Sequence, residues 1–571
     1  MLYLMLFFAA FAAACNDDKD NTSNSGTDGG IDGSTDGDTD GDGDADSGVD
    51  SGVDSGPDPS NVCEELGLPK ISFVETASDK SLNAIAADFT IPTTDGNWNL
   101  KKNWSGCESY VFMQDAPRQV ESSKFGYELW SDKTSKDWND FFSRTPQNVH
   151  YFFMSDNSKA DDVKTSITKL KEYIDVALAK LPPKDQNWWV DHLHYVNVTS
   201  TKINGWVGDI MKSPAWGFAI DRFQKIRYIG SYSDPNRYNS SVSDWPFGHN
   251  PSMIVNEPIY YNYEATREQE MICENDTVLT IFEDDNATED DQYATVDFPD
   301  ASTMAGFDTM MIDLTLGCIG NGELGDCPAW DYLVYLFLCD DKMKDSCNLE
   351  IGRWITTYHR EGRWVHDVSA LLPYFADGGT KYLRWNSSND YELHMDIRLS
   401  NRGKTEKPTQ IYPLFAGQHK LDATYNDNWD EITVNIPADA VKVELATVIT
   451  GHGMAQPDNC AEFCNTDHHF YVNGTNNDNT LDFPITDTDP NFGCMNQVGE
   501  GTVPNQFGTW WFGRGGWCPG KQVPVVMTDI TAQVTKGADN TFDYKGFHNG
   551  AVYNGDNWNH IRLSSWLVIS K

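Results

Sequence analysis

Three segments in the second half of the chain join a charged residue or a tryptophan to closely spaced cysteines. Gly451 to Cys464 reads GHGMAQPDNCAEFC and sets Glu462 between Cys460 and Cys464. A carboxylate clamped by two near-adjacent cysteines keeps one direction, and catalysis is where a held direction matters. A small disulfide knuckle carrying an incidental glutamate would read the same way, and this stretch alone does not decide between the two. Upstream, Cys318 and Cys327 close a loop that leads through Trp330 into Asp331 and Tyr332 at the start of an apolar run. Downstream, Arg514, Trp517 and Cys518 stand in RGGWCPG, where Cys518 can pair with Cys494.

The elements that must position these residues are short strands. From Thr277 onward the chain alternates apolar and polar residues in runs such as TMMIDLTL, YLVYLFLCD, LHMDIRLS, KVELATVI and HIRLSSWLVIS, separated by turns and without a long helical pattern. Period-two alternation broken by turns is the pattern of antiparallel sandwiches. About 295 residues exceed one small sandwich, so two side by side are expected. Cys339 and Cys347 bracket DDKMKDS and read as a structural pair at a hairpin tip.

The first half differs. Residues 1 to 14, MLYLMLFFAAFAAA, form an apolar run too short to span a bilayer, ending in small residues before Cys15. They read as a signal peptide with Cys15 as the lipidated residue of a bacterial lipoprotein, with ordinary secretion as the alternative. Residues 15 to 60 hold fourteen Asp and one Lys with almost no apolar side chain, which reads as a disordered Asp/Gly-rich tether. Asp36, Asp38, Asp40 and Gly41 begin like a calcium loop, but the twelfth position is Ser47 where a bidentate Glu is required.

Residues 61 to 232 alternate strand and helix. ADFTIPTTDGNWNL, SYVFMQ and VHYFFMS read as strands, and Val163, Ile167, Leu170, Ile174, Leu178 and Leu181 mark an amphipathic helix. With Pro214 ahead of the last strands, this order resembles the thioredoxin-like superfamily. The stretch DAPRQVESS, where a redox cysteine of that superfamily would stand, has none, so the domain reads as redox-inactive and Cys63 with Cys107 as a staple. His192 and His194 in DHLHY are spaced to bind a metal from one strand face. No second ligand cluster is evident, so they read as structural and no metal is expected. Residues 233 to 270 read as a connector.

With export the cysteines can pair. Eleven remain beyond Cys15, an odd number, so either one thiol is free or the count of exported cysteines is wrong; Cys273 has no assigned partner. The formal charge of -44 argues against nucleic acid, whose phosphates recruit Lys and Arg. It also argues against anionic lipid surfaces, leaving the anchor as the only expected membrane contact.

Taken in order, the Cys318–Cys327 loop into Trp330-Asp331, the NCAEFC segment and RGGWCPG resemble the peptide-N-glycosidase F family, whose members carry a Cys-loop-Cys-x-x-Trp-Asp segment, GCAEWC and RAGWCPG. IGRWITTY (351 to 358), YELHMDIRLS (391 to 400) and the closing LSSWLVISK match as well. The resemblance covers about 277 to 571 and implies two antiparallel jelly-roll β-sandwiches packed side by side, with the active site in the cleft at their junction. The fold class expected is therefore mainly β, with jelly rolls at 271 to 415 and 416 to 571 behind an α/β thioredoxin-like domain. The implied activity is hydrolysis of the amide bond between asparagine and the proximal N-acetylglucosamine of N-glycosylated proteins or glycopeptides, by a monomer without a cofactor.

Carried over residue by residue, the family's principal catalytic aspartate falls on Asp331 and its cysteine-framed glutamate on Glu462. Neighbouring carboxylates in different environments can divide acid and base roles. Asp331 is expected to activate water or contact the scissile amide, and Glu462 to position the core sugar and tune Asp331. Arg514 is expected to steady charge on the amide oxygen, and Trp330 and Trp517 to offer faces for sugar rings. Tyr332 replaces the family's arginine after the aspartate, His452 stands where a tryptophan is expected, and Phe463 replaces another; Tyr332 and His452 are expected to join Trp330, Trp517 and Arg514 in binding substrate. A third family carboxylate would fall within Trp385-Asn386-Ser387-Ser388, which has none; Glu323, in the first Cys loop, is a candidate substitute. The competing readings are a non-catalytic glycan-binding protein on the same scaffold and a copper monooxygenase. The latter would need His and Met clusters on both sandwiches, against only His452, His468 and His469 here.

Overall fold

Apolar runs without a polar face build the first sheet. The computed structural model describes residues 62–115, 137–155, 160–212, 217–232, 250–287, 291–320, 322–340, 346–483, 492–556 and 558–571. The expected signal peptide, tether, Cys15, Pro214 and most of DAPRQVESS lie outside them. Ser109–Asp115, Val149–Ser155 and Leu193–Thr199 run parallel at the centre of a seven-stranded sheet. A parallel sheet is covered on both faces, hence its continuous hydrophobicity. On one face Val111, Met113 and Phe153 pack with Val163, Ile167, Leu170 and Ile174 of the helix Ala160–Leu178; on the other, Phe112, Phe152 and Met154 meet Trp206 and Ile210. Cys63 and Cys107 are bonded beside this sheet.

The stretch expected as a connector contains a helix, Asn256–Ile272, that buries Tyr260 and Tyr261. Its Glu257 is fully buried and joins an ionic knot. The Arg360 guanidinium lies 2.8 Å from Glu257 Oε1 and 3.0 Å from Glu323 Oε2, and also donates to the carbonyls of Tyr228 and Pro504. Arg360 thereby ties an edge strand of the α/β sheet, Ile226–Tyr228, to the Cys318–Cys327 loop.

The remainder is mainly β. One pair of antiparallel sheets runs in the orders 362–367, 309–317, 391–400, 277–287 and 521–522, 349–355, 333–339, 378–386, 292–300. The other runs 408–419, 560–570, 442–452, 526–529 and 432–435, 539–547, 467–472, 478–482. Alternation assigns side chains of Lys442–His452 and His560–Ser570 to two different cores. Leu445, Ile449, Leu563 and Leu567 pack with Phe470 and Phe542, whereas Ala446, Val448, Trp566 and Val568 pack into the core of the first pair. These two strands, buried on both faces over most of their length, weld the two pairs together, and the loop after Lys442–His452 carries Glu462 of the candidate site.

Candidate active site

Asp331 and Tyr332 precede the strand Leu333–Cys339. Their segment is pinned by Thr356, whose hydroxyl donates to the Trp330 carbonyl at 3.0 Å and accepts from the Tyr332 amide at 2.8 Å. The Cys318–Cys327 disulfide closes the loop before it. Glu462 follows the end of Lys442–His452 inside the Cys460–Cys464 disulfide. Its backbone is also fixed, by Gly515 N donating to the Glu462 carbonyl at 2.7 Å and Glu462 N donating to the Gly453 carbonyl at 3.0 Å. The Cys494–Cys518 and Cys339–Cys347 disulfides are formed too, and among the described residues no cysteine is free, Cys273 included.

Arg514 joins the two acidic segments. Its side chain is fully buried, with Nε 3.2 Å from Glu462 Oε1 and Nη2 3.6 Å from Asp331 Oδ2. Nη1 donates to the carbonyls of Thr509 and Phe512, and Nη2 to Thr509 Oγ1 and the Tyr358 hydroxyl. A guanidinium has five N–H donors, and with the Glu462 bond all five are engaged. Arg514, expected to steady charge on the amide oxygen, lies as a buried cation between both carboxylates, with its N–H groups engaged within the protein. Phe463 and Trp517 rings flank it, each centroid 5.0 Å from the guanidinium carbon.

Burial raises the pKa of Asp331, and Arg514 and Tyr358 only partly offset it. Burial likewise raises Glu462, with Arg514 again opposing and the charge of Asp331 adding to the rise. Two carboxylates thus share one cation in a poorly solvated place, an arrangement that tunes acid and base groups. Asp331 Oδ2 is buried and accepts no hydrogen bond among the described residues, whereas Glu462 Oε2 accepts from Gly453 N.

Tyr358, unassigned by sequence, belongs to this group. It is 5 % exposed, its hydroxyl accepts from Arg514, and burial holds its pKa well above the usual phenol range, so it keeps its own proton to donate. The available signal was its place at the end of IGRWITTY.

Of the expected sugar-facing rings, Trp330 is open at 56 % exposure. Trp517 and His452 are not: they are 6 % and 9 % exposed and stack on one another at 5.1 Å, while Trp517 Nε1 donates to the Gly451 carbonyl. The structure corrects both to a supporting layer behind Arg514. Tyr332 is half-buried. Glu323 does not substitute for the third carboxylate, because it is buried against Arg360. In the segment where that carboxylate would fall, Trp385 is fully buried and Asn386 donates to Asp291. His468 bonds Tyr544 and Thr466, and His469 pairs with Asp478.

The histidines of DHLHY are not on one strand face. His192 ends the helix Pro183–His192, His194 lies in the following strand, and each meets a residue that sequence reading left out. His192 Nε2 lies 2.9 Å from Glu108 Oε1, His150 Nε2 lies 3.2 Å from Glu108 Oε2, and His150 Nδ1 meets His194 Nε2 at 3.0 Å. Burial acts to raise Glu108, but the two histidines outweigh it and hold the carboxylate well below its usual range. A second cluster therefore does accompany the pair.

A family model described as "Peptide-N-glycosidase F, C terminal" matches residues 421–568, the span that holds Glu462 and Arg514. The chain resembles the peptide-N-glycosidase F family. A curated relative, peptide-N(4)-(N-acetyl-beta-D-glucosaminyl)asparagine amidase F of Elizabethkingia miricola, is 29% identical over 143 residues, 24% of this chain and 37% of the relative. The match thus spans little over a third of that protein. Among solved structures, PNGase F, described as a glycosylasparaginase from Flavobacterium meningosepticum, gives a TM-score of 0.42 at 19% identity over 52% of this chain and 96% of that one. PNGF-II in a P21 crystal gives 0.40 at 13% identity over 53% and 67% of the two chains.

Proposed function

We propose that this chain is an exported amidase that hydrolyses the bond between the asparagine side-chain nitrogen-bearing carbonyl and the proximal N-acetylglucosamine amine of N-linked glycans. Water adds to the amide carbon, the C–N bond breaks, and aspartate and a glycosylamine leave. The observation that carries this reading is Arg514, buried between Asp331 and Glu462. It holds one carboxylate oxygen, Asp331 Oδ2, without a hydrogen-bond partner and the other carboxylate in a fixed loop.

In this reading Asp331 directs water or contacts the scissile amide, and Glu462 positions the sugar and tunes Asp331. Tyr358 is the neutral donor nearest to hand, and Trp330 is the exposed ring against which a sugar stacks. We place the site between two jelly rolls, at 271 to 415 and 416 to 571, behind a thioredoxin-like domain at 61 to 232 without redox cysteines. Lipid anchoring at Cys15, a monomeric state and glycoprotein or glycopeptide substrates belong to the same proposal. Among the described residues no helix is long and apolar enough to cross a membrane.

A second reading, a non-catalytic glycan-binding protein, is favoured by one observation: neither Trp385 to Ser388 nor Glu323 supplies a third carboxylate to the site. Incubation with a labelled glycopeptide separates the two. Released glycan with an Asn-to-Asp mass change supports the amidase, and retention of intact glycopeptide supports binding alone.

A further inference from the structure

We propose that Glu108, His150 and His192 form a buried binding site for a divalent transition metal, Zn²⁺ foremost, independent of the carboxylate site described above. The donors come from three separate places: the residue before the strand Ser109–Asp115, the strand Val149–Ser155, and the end of the helix Pro183–His192. Their ligand atoms all lie within 4.8 Å of one another, and the residues are 3 %, 8 % and 3 % exposed. Two imidazoles and a carboxylate are a ligand set suited to Zn²⁺ and its first-row neighbours. With metal bonds of about 2.0–2.1 Å, tetrahedral ligands stand roughly 3.3 Å apart. The two Nε2 atoms meet different oxygens of Glu108, at 2.9 Å and 3.2 Å, so gathering them on one ion takes a shift of the carboxylate as well as of the rings.

The orientation of the rings is the second argument. Metal-binding histidines commonly donate the nitrogen not used for the metal to a carbonyl or another polar group, which fixes the ring. Both histidines are placed this way. His192 Nδ1 meets the Trp188 carbonyl at 2.7 Å and His150 Nδ1 meets His194 Nε2 at 3.0 Å, so both Nε2 atoms converge on the one carboxylate. His194, behind His150, also lines a surface pocket of about 370 Å³ with Asp191 and Asp95. The other close cluster, Cys460, Cys464 and His548, offers no thiolates because its cysteines are disulfide-bonded.

The test uses the full chain, produced without a polyhistidine tag and stripped with a chelator. Titration with Co²⁺, followed by its visible ligand-field absorption, is expected to saturate at one ion per chain and to be reversed by one equivalent of Zn²⁺. His150→Gln and Glu108→Gln, which keep polar groups in place, are expected to abolish that absorption. His194→Ala, which removes only the group behind His150, is expected to weaken binding by about 10- to 100-fold. Failure of the folded wild-type chain to take up Co²⁺ or Zn²⁺ overturns the proposal without reference to any variant. So does uptake that is unchanged in both His150→Gln and Glu108→Gln.

Discussion

Arg514 Nη2 stands 3.6 Å from Asp331 Oδ2, an ion pair too long to be a hydrogen bond, although the guanidinium is fully buried. The cation therefore sets the potential at Asp331 while leaving Asp331 Oδ2 without a hydrogen bond. If Asp331 is the reacting carboxylate, Asp331→Asn keeps the shape and removes the base. Proton transfer of this kind contributes about 10²- to 10⁴-fold, so kcat on a labelled glycopeptide should fall by that range with the melting temperature nearly unchanged. Wild-type rates in Asp331→Asn would remove this residue from the mechanism.

The pH profile follows from the same pair. Burial lifts Asp331 and Glu462 above the ordinary carboxylate range, and Arg514 opposes the lift at both. A carboxylate that works ionised loses activity as pH falls through its pKa, so the acid limb of kcat/KM should lie above that of a solvated carboxylate. Arg514→Gln removes the opposing charge and should move the limb to higher pH, while Arg514→Lys should move it less. An acid limb that stays in place in Arg514→Gln would separate the cation from the titrating group.

The positions of Asp331, Glu462 and Arg514 were legible because each is framed by cysteine or tryptophan, residue types rare enough to mark a segment. What those side chains do was less legible. Whether Trp517 faces a sugar or packs behind Arg514 depends on Gly451 and His452, which lie over sixty positions earlier in the chain. The commitment of the Arg514 N–H groups also depends on backbone carbonyls at Thr509 and Phe512, which no side-chain pattern marks. The alternation of Lys442–His452 announced a strand but could not say that both faces would be buried. Glu108 and His150 were missed for a similar reason: they stand 84 and 42 residues before His192, and only the parallel sheet brings them together.

Glycine at 515 lets the Glu462 loop approach. A Cβ there would sit 2.4 Å from the Ala461 carbonyl oxygen, which is backbone and cannot swing away. Gly515→Ala must displace Ala461 and Glu462 together, because Gly515 N also donates to the Glu462 carbonyl. Overpacking of this kind costs about 1–3 kcal/mol. The expected outcome is a lower melting temperature with a disproportionate fall in kcat, since about 1 Å of displacement can cost about 10²-fold. Full activity on glycopeptide would show that the loop position is not critical.

Arg360 provides the test of how the α/β sheet and the β region are held together. It is the cation between two buried carboxylates, Glu257 and Glu323, and it donates to the Tyr228 carbonyl across the boundary. Arg360→Met removes the cation and leaves both acids inside, and breaking a buried pair in this way costs about 3–5 kcal/mol. The loss should depend on pH. Burial already pushes Glu323 up to about 7 from 4.5 despite its pairing with Arg360. With the folded value above the unfolded one, its contribution favours the folded state at low pH and declines as pH rises from about 4.5 to about 7. Without Arg360, Glu323 holds its proton more tightly when folded, so the stability deficit of Arg360→Met relative to wild type should be smaller near pH 5 and larger near pH 8. Chemical denaturation at the two pH values measures this directly, and an equal deficit at both would show that the knot contributes through packing rather than charge.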